Sequence, residues 1–258
     1  MAGEARTDNF MLGTATVMIG AQDALFDLNA TDHSIGLVKN FTITSQPTYT
    51  NLTQGVKNQN VASVMTGNTV SATMEAYEYT SKNISYALGL EGSTLAPITT
   101  ETTTSAVIAG TDVAPEDEVT VTSATGITAG SYIMIQVGND DQVTIRKVSS
   151  VASNVLTVSP GIKQNIAVGA RVSKVNVVDI GSLADQPYLS AKVVGTIANG
   201  KEITLLLPKI RVTAGFSLAF TSSDFGNMPI EFTLYNLVST DPNYSEFQNA
   251  QAKLFSRA

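Results

Sequence analysis

The sequence predicts a mainly β protein: a β-barrel or sandwich with a short flanking helix, plus an inserted small all-β domain. Three observations support this prediction. Apolar and polar residues alternate through many short segments, Gly, Asn and Pro turns separate these segments, and helical periodicity is confined to two short stretches. With 258 residues, 43% of them hydrophobic, the chain is long enough to bury a large core without disulfides.

The N-terminal part is predicted to hold a docking arm, a strand and a long hairpin. Residues 1–12 are polar before a brief apolar run, a pattern that favours an arm docking on a neighbour. Alternation predicts a first strand over Thr14–Ile19 and hairpin strands over Leu37–Thr44 and Val61–Tyr79. The polar loop Ser45–Asn60, which contains Pro47 and Gly55, is expected to join the hairpin strands.

The second hairpin strand has one apolar and one polar face. Its alternating residues are Val70, Ala72, Met74 and Ala76 on one face and Ser71, Thr73, Glu75 and Tyr77 on the other. This period of two indicates that one face packs and the other meets water. A short helix is predicted to follow, with Thr80 or Ser81 as its N-cap and Gly89 at its end.

Four short motifs follow one another in this region: a Gln54–Asn58 turn, a Ser63–Asn68 bend, the Glu75–Thr80 strand end and the Lys82–Asn83 helix start. In their order and spacing, within residues 36–92, they resemble the major tail tube protein of tailed bacteriophages. The resemblance implies a tail-tube-type β-barrel subunit, a homo-hexameric ring, and rings that stack into a tube through which DNA passes. It also implies a virion protein that assembles in the host cytoplasm and meets tape measure, tail terminator and distal tail or baseplate proteins.

The resemblance further implies that the hairpin loop contacts the next ring. The residues expected to make this stacking contact are Pro47, Thr48, Tyr49, Asn51, Gln54, Gly55, Lys57 and Asn58.

A composition rich in Thr and Ser marks a domain boundary near residue 104. Thr99–Thr104 is interpreted as either an edge strand or a linker. Short strands are predicted beyond it at Val119–Thr122, Tyr132–Val137, Gln142–Val148, Val155–Val158 and Arg171–Val178. Residues 104–178 are therefore expected to form an inserted small barrel or sandwich. Because the resemblance to the tube fold stops before this segment and resumes after it, the resemblance implies that the segment lies on the tube exterior, which favours a non-contractile tail. Residues 1–103 and 179–258 would form the discontinuous tube domain.

The C-terminal part is predicted to resume the principal sheet. The Asn199-Gly200 pair is a strong signal for a hairpin between Tyr188–Ala198 and Lys201–Leu207. Two further strands are expected at Arg211–Phe220 and Pro229–Val238, and helical spacing is present in Tyr244–Ala258.

Polar faces of two strands are the candidates for lining the tube. They contain Ser71, Thr73, Glu75, Glu231 and Thr233. A wall of acids and hydroxyls without Lys or Arg would repel phosphate and let DNA pass without binding it. Alternation shows which residues share a face but leaves open whether that face meets the lumen or the outer solvent.

The composition disfavours an enzyme, a metal site and a bound cofactor. The chain has no Cys, a single His at position 33, no Gly-x-Ser-x-Gly motif and no phosphate-binding Gly-rich loop. A carboxylate pair drawn from Glu75, Glu78, Asp224 and Glu231 is the remaining catalytic possibility, but the absence of Trp disfavours a sugar enzyme.

Charge and hydropathy disfavour binding to nucleic acid and insertion into a membrane. The net charge of −7, without any basic cluster, disfavours nucleic-acid binding. No run approaches the roughly 20 apolar residues of a membrane helix.

The alternative function is a β-rich tail adhesin or carbohydrate-binding module, with the middle segment as its ligand site.

Overall fold

The structure, a computed structural model, describes residues 15–54, 58–92, 95, 97–138, 142–181, 185–196, 200–213, 217 and 226–256. Strand accounts for 53% of the structure and helix for 6%. These fractions confirm the predicted mainly β fold with a short helix. The predicted docking arm, residues 1–12, lies outside the described residues.

The described residues form fifteen strands, two α-helices and a 3-10 turn. In chain order these are β1 (Ala15–Ala21), the 3-10 turn (Gln22–Ala24), β2 (Val38–Gln54), β3 (Gln59–Ala76), α1 (Ser81–Ala87), β4 (Glu101–Thr103), β5 (Ile108–Ala109), β6 (Glu116–Thr120), β7 (Tyr132–Gln136), β8 (Val143–Ala152), β9 (Val155–Ile162), β10 (Asn165–Ile166), β11 (Arg171–Val175), β12 (Leu189–Thr196), β13 (Glu202–Val212), β14 (Met228–Leu234), α2 (Tyr244–Phe247) and β15 (Lys253–Ser256).

The chain divides into two compact units. Unit 1 comprises Met1–Leu95 and Ile180–Ala258, and unit 2 comprises Ala96–Asp179. The boundary before unit 2 therefore lies earlier than the predicted residue 104. The reason is that β4 pairs with β11, so the Thr-rich stretch is a strand of unit 2 and not a linker.

Unit 1 is built on one antiparallel sheet with the strand order β1-β12-β13-β14-β3-β2, and β15 pairs with β13. The two ends of this sheet approach each other through the residues before β2. The Ile19 N–H donates to the His33 carbonyl and the Ile35 N–H donates to the Val17 carbonyl, both at 3.1 Å. The sheet consequently curls around a buried core to which Val17, Ala72 and Phe232 belong.

The hairpin of β2 and β3 is longer than the sequence analysis predicted. The expected loop Ser45–Asn60 is wrong, because β2 continues to Gln54 and β3 begins at Gln59. The pairing of β2 with β3 continues through Thr, Tyr and Leu residues, which are common in strands. Pro47 is tolerated because β2 is an end strand of the sheet order.

Helix α1 confirms the predicted helix and its cap. The Thr80 hydroxyl accepts a hydrogen bond from the Asn83 N–H at 3.1 Å, and Gly89 follows the helix with φ of 75°. The buried Asn83 side chain donates to the carbonyls of Ile35 and Glu78. This helix thereby holds the segment before β2 at the position where the sheet curls. Tyr86 of the same helix is buried, and burial together with the neighbouring Glu91 carboxylate raises the pKa of its hydroxyl.

The predicted C-terminal helix over Tyr244–Ala258 is wrong in most of its length. Helix α2 spans only Tyr244–Phe247, and β15 follows it. Asn243 and Gln248 have φ of 63° and 48°, so the backbone leaves the helical region on both sides of α2. Pairing of β15 with β13 outweighs the helical spacing of the sequence.

Unit 2 is a six-stranded antiparallel sheet in the order β4-β11-β7-β8-β9-β6. Its end strands meet, because the Thr122 N–H donates to the Thr103 carbonyl at 2.9 Å and the Ser105 N–H donates to the Thr120 carbonyl at 2.8 Å. The result is a closed small barrel. Its core is aliphatic and includes Val119, Ile133, Ile135, Leu156 and Val172, each 0% exposed.

Candidate assembly surface

The candidate lining residues of β3 and β14 form one continuous face of unit 1. Thr73 lies opposite Glu231, and Ser71 lies opposite Thr233. The neighbouring residues on the reverse side of both strands are buried in the core. Sequence alternation therefore predicted the shared orientation correctly within each strand, and the strand register brings the two sets together.

This face also has cations that the sequence analysis did not assign to it. Lys39 of β2 lies opposite Glu75, and Arg211 of β13 lies opposite Thr233. Residues opposite each other in adjacent strands share a face. The expectation of a face without Lys or Arg is therefore wrong, because Lys39 and Arg211 lie beside the two acids. The Arg211 guanidinium also pairs with the Asp185 carboxylate at 3.4 Å.

Glu75 is fixed by neighbouring polar groups. Its carboxylate accepts hydrogen bonds from the Asn40 amide and the Tyr77 hydroxyl, both at 3.0 Å. The Lys39 ammonium lies 4.7 Å from the centre of the Tyr77 ring. Asn40 has φ of 55° and lies where the pairing of β2 with β3 shifts register, between Lys39 and Thr42. Because of this shift, alternation along β2 does not show that Lys39 faces Glu75.

A second polar cluster surrounds Tyr188. The Lys209 ammonium and the Arg211 guanidinium lie 4.3 and 4.4 Å from the centre of its ring. Lys209 also pairs with Asp241 at 2.7 Å, with both side chains largely buried. Burial opposes ionisation of Asp241, but hydrogen bonds from Lys209 and from the Val238 N–H lower its pKa below the ordinary value. The Lys209–Asp241 contact is therefore a charged pair.

The distal hairpin is exposed over its whole described length. We define the arm as residues 42–54 and 58–69, and every one of these residues is exposed. Between Thr42 and Thr69 the only charged residue is Lys57. The predicted stacking residues Pro47, Thr48, Tyr49, Asn51, Gln54 and Asn58 belong to the arm, whereas Gly55 and Lys57 lie outside the described residues.

Apolar side chains lie on both faces of the arm. Tyr49 pairs with Met65 on one face, and Leu52 pairs with Ala62 on the other, next to Val64. Tyr49, Met65, Leu52 and Val64 are 55%, 57%, 65% and 64% exposed. The arm therefore presents apolar groups that no described part of its own chain covers.

An open cleft of about 660 Å³ lies at the root of the arm. The arm contributes one wall and the segment before β15 contributes the other. The lining residues that the structure describes are all uncharged: Ile43, Ser45, Met65, Thr66, Gly67, Asn68, Val70, Asn236, Asn249, Ala250, Gln251 and Ala252.

Two of the residues considered for catalysis or metal binding, Glu78 and His33, have local structural contacts. The Glu78 carboxylate accepts a hydrogen bond from the Leu37 N–H at 3.0 Å, and His33 accepts one from the Asn29 N–H at 3.3 Å. Asp224 lies outside the described residues. Within the described ranges there is no group of three or more His, Cys, Asp or Glu side chains able to hold a metal ion. Neither described helix has the length and apolar character needed to cross a membrane.

No family model matches the sequence, and a comparison with curated proteins finds no match either. The resemblance of residues 36–92 to tail tube proteins therefore stays a prediction from the sequence.

Proposed function

We propose that this chain is a structural virion protein, the subunit of a bacteriophage tail tube, in which six copies form a ring and the rings stack. The observation that carries the proposal is the arm. It is a long β-hairpin without charged residues in its described part, and its apolar side chains are exposed on both faces.

An arm of this composition is costly for a protein that acts as a monomer. Monomeric soluble proteins rarely expose contiguous apolar patches beyond a few hundred Å² unless these are interaction sites. Covering a side chain such as Leu52 or Val64 contributes about 1.5–3 kcal/mol, and a hairpin brings several of them to one contact. Exposed strand edges also invite pairing with another chain.

The polar face of β3 and β14 is the proposed wall of the conduit. Its hydroxyls, acids and bases offer DNA few net attractive contacts, because Lys39 lies opposite Glu75 and the Arg211 guanidinium pairs with the Asp185 carboxylate at 3.4 Å. Sixfold symmetry would repeat each charge around the ring. A wall whose bases already have acidic neighbours limits binding to phosphate without requiring the uniformly negative wall that the sequence suggested.

The proposal is tested by purifying the chain and examining it by size-exclusion chromatography and negative-stain microscopy. We expect rings with sixfold symmetry, and tubes at higher concentration. A stable monomer or small oligomer that binds glycans would instead favour the tail adhesin or carbohydrate-binding module.

The wall assignment has its own test in a double variant, Glu75→Lys with Glu231→Lys. The change leaves four bases and no acid among the charged residues named on this face. We expect tubes still to form, and we expect DNA ejection to become slower and more salt-dependent because the bases bind phosphate. Replacement of both acids by Gln is the control for lost charge. Ejection by the Lys variant at the wild-type rate, at low and high salt alike, would contradict the assignment.

A further inference from the structure

The two bases beside the polar face of β3 and β14 share one kind of neighbour, a tyrosine ring. The Lys39 ammonium lies 4.7 Å from the centre of the Tyr77 ring. The Arg211 guanidinium lies 4.4 Å from the centre of the Tyr188 ring. A cation over the face of an aromatic ring is attracted by the negative potential of that face. Each ring therefore favours one position of its base against the sheet.

The Tyr188 ring belongs to the same face as the hydroxyls of β14. Leu189 of β12 pairs with Ile210 of β13, so the preceding Tyr188 lies beside the following Arg211. Arg211 in turn lies opposite a threonine of β14. The Tyr235 ring contacts the Tyr188 ring edge-on, with their centres 5.5 Å apart, and this contact helps to fix the ring that the guanidinium covers.

The Arg211 guanidinium has further contacts that compete with a phosphate. One terminal nitrogen donates to the Gln186 carbonyl at 2.6 Å and lies 3.4 Å from the Asp185 carboxylate. The Arg211 side chain is 27% exposed, whereas that of Asp185 is 92% exposed. A phosphate that approaches Arg211 therefore meets an exposed carboxylate beside a largely covered cation. The second base on the Tyr188 ring, Lys209, is buried and paired with Asp241.

Lys39 is the more exposed of the two bases, so its ring contact matters more. The Tyr77 hydroxyl donates to the Glu75 carboxylate at 3.0 Å, and Glu75 lies opposite Lys39 in the pairing of β2 with β3. The same carboxylate thus positions the Tyr77 ring and attracts the ammonium. Lys39 has an aromatic face and an acid as neighbours before any DNA arrives.

We propose that Tyr77 and Tyr188 keep the bases of the conduit wall from binding DNA. Contacts of Lys and Arg with phosphate supply most of the affinity of non-specific DNA binding. A base that stacks on a ring of its own sheet must leave that ring to reach a passing phosphate, and the lost stacking opposes the contact. The inference rests on the proposed function, since it assigns to two residues the low affinity for DNA that a conduit needs.

The test compares two pairs of substitutions. Tyr77→Leu with Tyr188→Leu removes both rings, whereas Tyr77→Phe with Tyr188→Phe keeps the rings and removes only the hydroxyls. Fluorescence anisotropy with a labelled DNA duplex measures the affinity of each purified protein at several salt concentrations. We expect the Leu pair to bind at least about tenfold more tightly than the wild type at low salt. Its log affinity should also fall more steeply with log salt, by about 0.9 for each freed base.

The controls attribute any gain in affinity to the named groups. The Phe pair should bind as weakly as the wild type. Adding Lys39→Gln and Arg211→Gln to the Leu pair should abolish its gain, since the freed bases are then absent. Circular dichroism and the melting temperature establish that each variant is folded. If the Leu pair does not fold, Tyr77→Leu alone is compared with Tyr77→Phe, and a gain in slope of about 0.9 is expected from Lys39.

Three results would overturn the inference. A folded Leu variant that binds DNA no more tightly than the wild type would show that the rings do not restrain the bases. Equal gains from the Leu and Phe variants would assign the restraint to the hydroxyls. A gain that survives the loss of Lys39 and Arg211 would come from other bases.

The two proposals fail in different ways, because the DNA measurement uses the purified protein in any oligomeric state. If the wild type does not form rings or tubes, the proposed function is wrong whatever the affinities for DNA. If the wild type forms them while the Leu variants gain no affinity, only the role of the two rings is wrong.

Discussion

The two units differ in how the end strands of their sheets are paired. Unit 2 joins its end strands by backbone hydrogen bonds between Thr103 and Thr122 and between Ser105 and Thr120, and so closes its sheet into a barrel. Unit 1 curls its sheet but extends β2 and β3 into an arm whose described residues are all exposed. A closed barrel satisfies its own strand edges, whereas an exposed arm leaves strand edges open to pairing with another chain. The contrast supports the proposal that unit 1 holds the assembly surface.

The largest expected effect comes from removing the arm. Replacing Thr48–Gly67 by an Asn-Gly turn leaves Pro47 and Asn68 as the last pair of the hairpin. Because the deleted described residues are exposed, unit 1 should remain folded while assembly is lost. Chromatography, microscopy and the melting temperature separate these outcomes. Normal tubes from the shortened chain would refute the role of the arm.

A smaller effect, on stability, is expected at the charged pair of unit 1. Because the pKa of Asp241 is lowered in the folded state, the pair stabilises unit 1 above the unfolded value of about 3.8. The stabilisation is lost as the pH falls through the folded pKa. Asp241→Asn should reduce the free energy of unfolding at pH 7 by about 3–5 kcal/mol, because Lys209 is left buried without its counter-charge.

Denaturant titrations of wild type and D241N across the acid range measure this effect. The difference between the two proteins should shrink as the pH falls. A difference that stays constant down to pH values well below 3.8 would show that the loss is one of packing and not of charge.

The corresponding change in unit 2 should be smaller and independent of pH. The buried Thr104 hydroxyl donates to the Ala167 carbonyl at 3.1 Å and accepts from the Ala170 N–H at 3.0 Å. Thr104→Val preserves the shape but leaves both backbone groups without this partner, at a cost of about 1–3 kcal/mol. Thr104→Ser retains the hydroxyl and is the control. Equal unfolding midpoints for T104V and T104S would exclude the hydrogen bonds as the cause.

The smallest effect on assembly is expected from removing unit 2 altogether. Residues Ala96–Asp179 replaced by a short Gly-Ser linker should leave ring and tube formation unchanged, since the arm belongs to unit 1. Unit 2 expressed separately should fold as a monomer, because its sheet is closed. Unfolding of the shortened chain would instead show that unit 1 needs the insertion for its own stability.

Local patterns predicted much of this fold from the sequence. Four strands of unit 2 begin within one residue of their predicted starts, because Gly and Asn turns delimit short alternating segments. The helix after β3 was predicted from its Thr80 cap and Gly89. These features depend on neighbouring residues in the chain, which the sequence shows directly.

Long-range pairing explains what the sequence did not predict. Residues 45–54 are polar enough to suggest a loop, yet they form a strand because β3 pairs with them along the arm. Leu254 has helical spacing from Phe247 but lies in a strand opposite Leu205. Lys39 and Arg211 lie on the candidate face because of the register between neighbouring strands. Alternation within one strand cannot reveal that register.

The register shifts of the arm have a consequence for its behaviour before assembly. Pairing shifts between Thr48 and Tyr49 and again between Leu52 and Thr53, and such bulges increase local twist. A twisted, irregular hairpin is a poor template for flat cross-β stacking, even though its described residues are uncharged and partly apolar. We therefore expect the bulges to disfavour amyloid-like aggregation of chains that have not assembled.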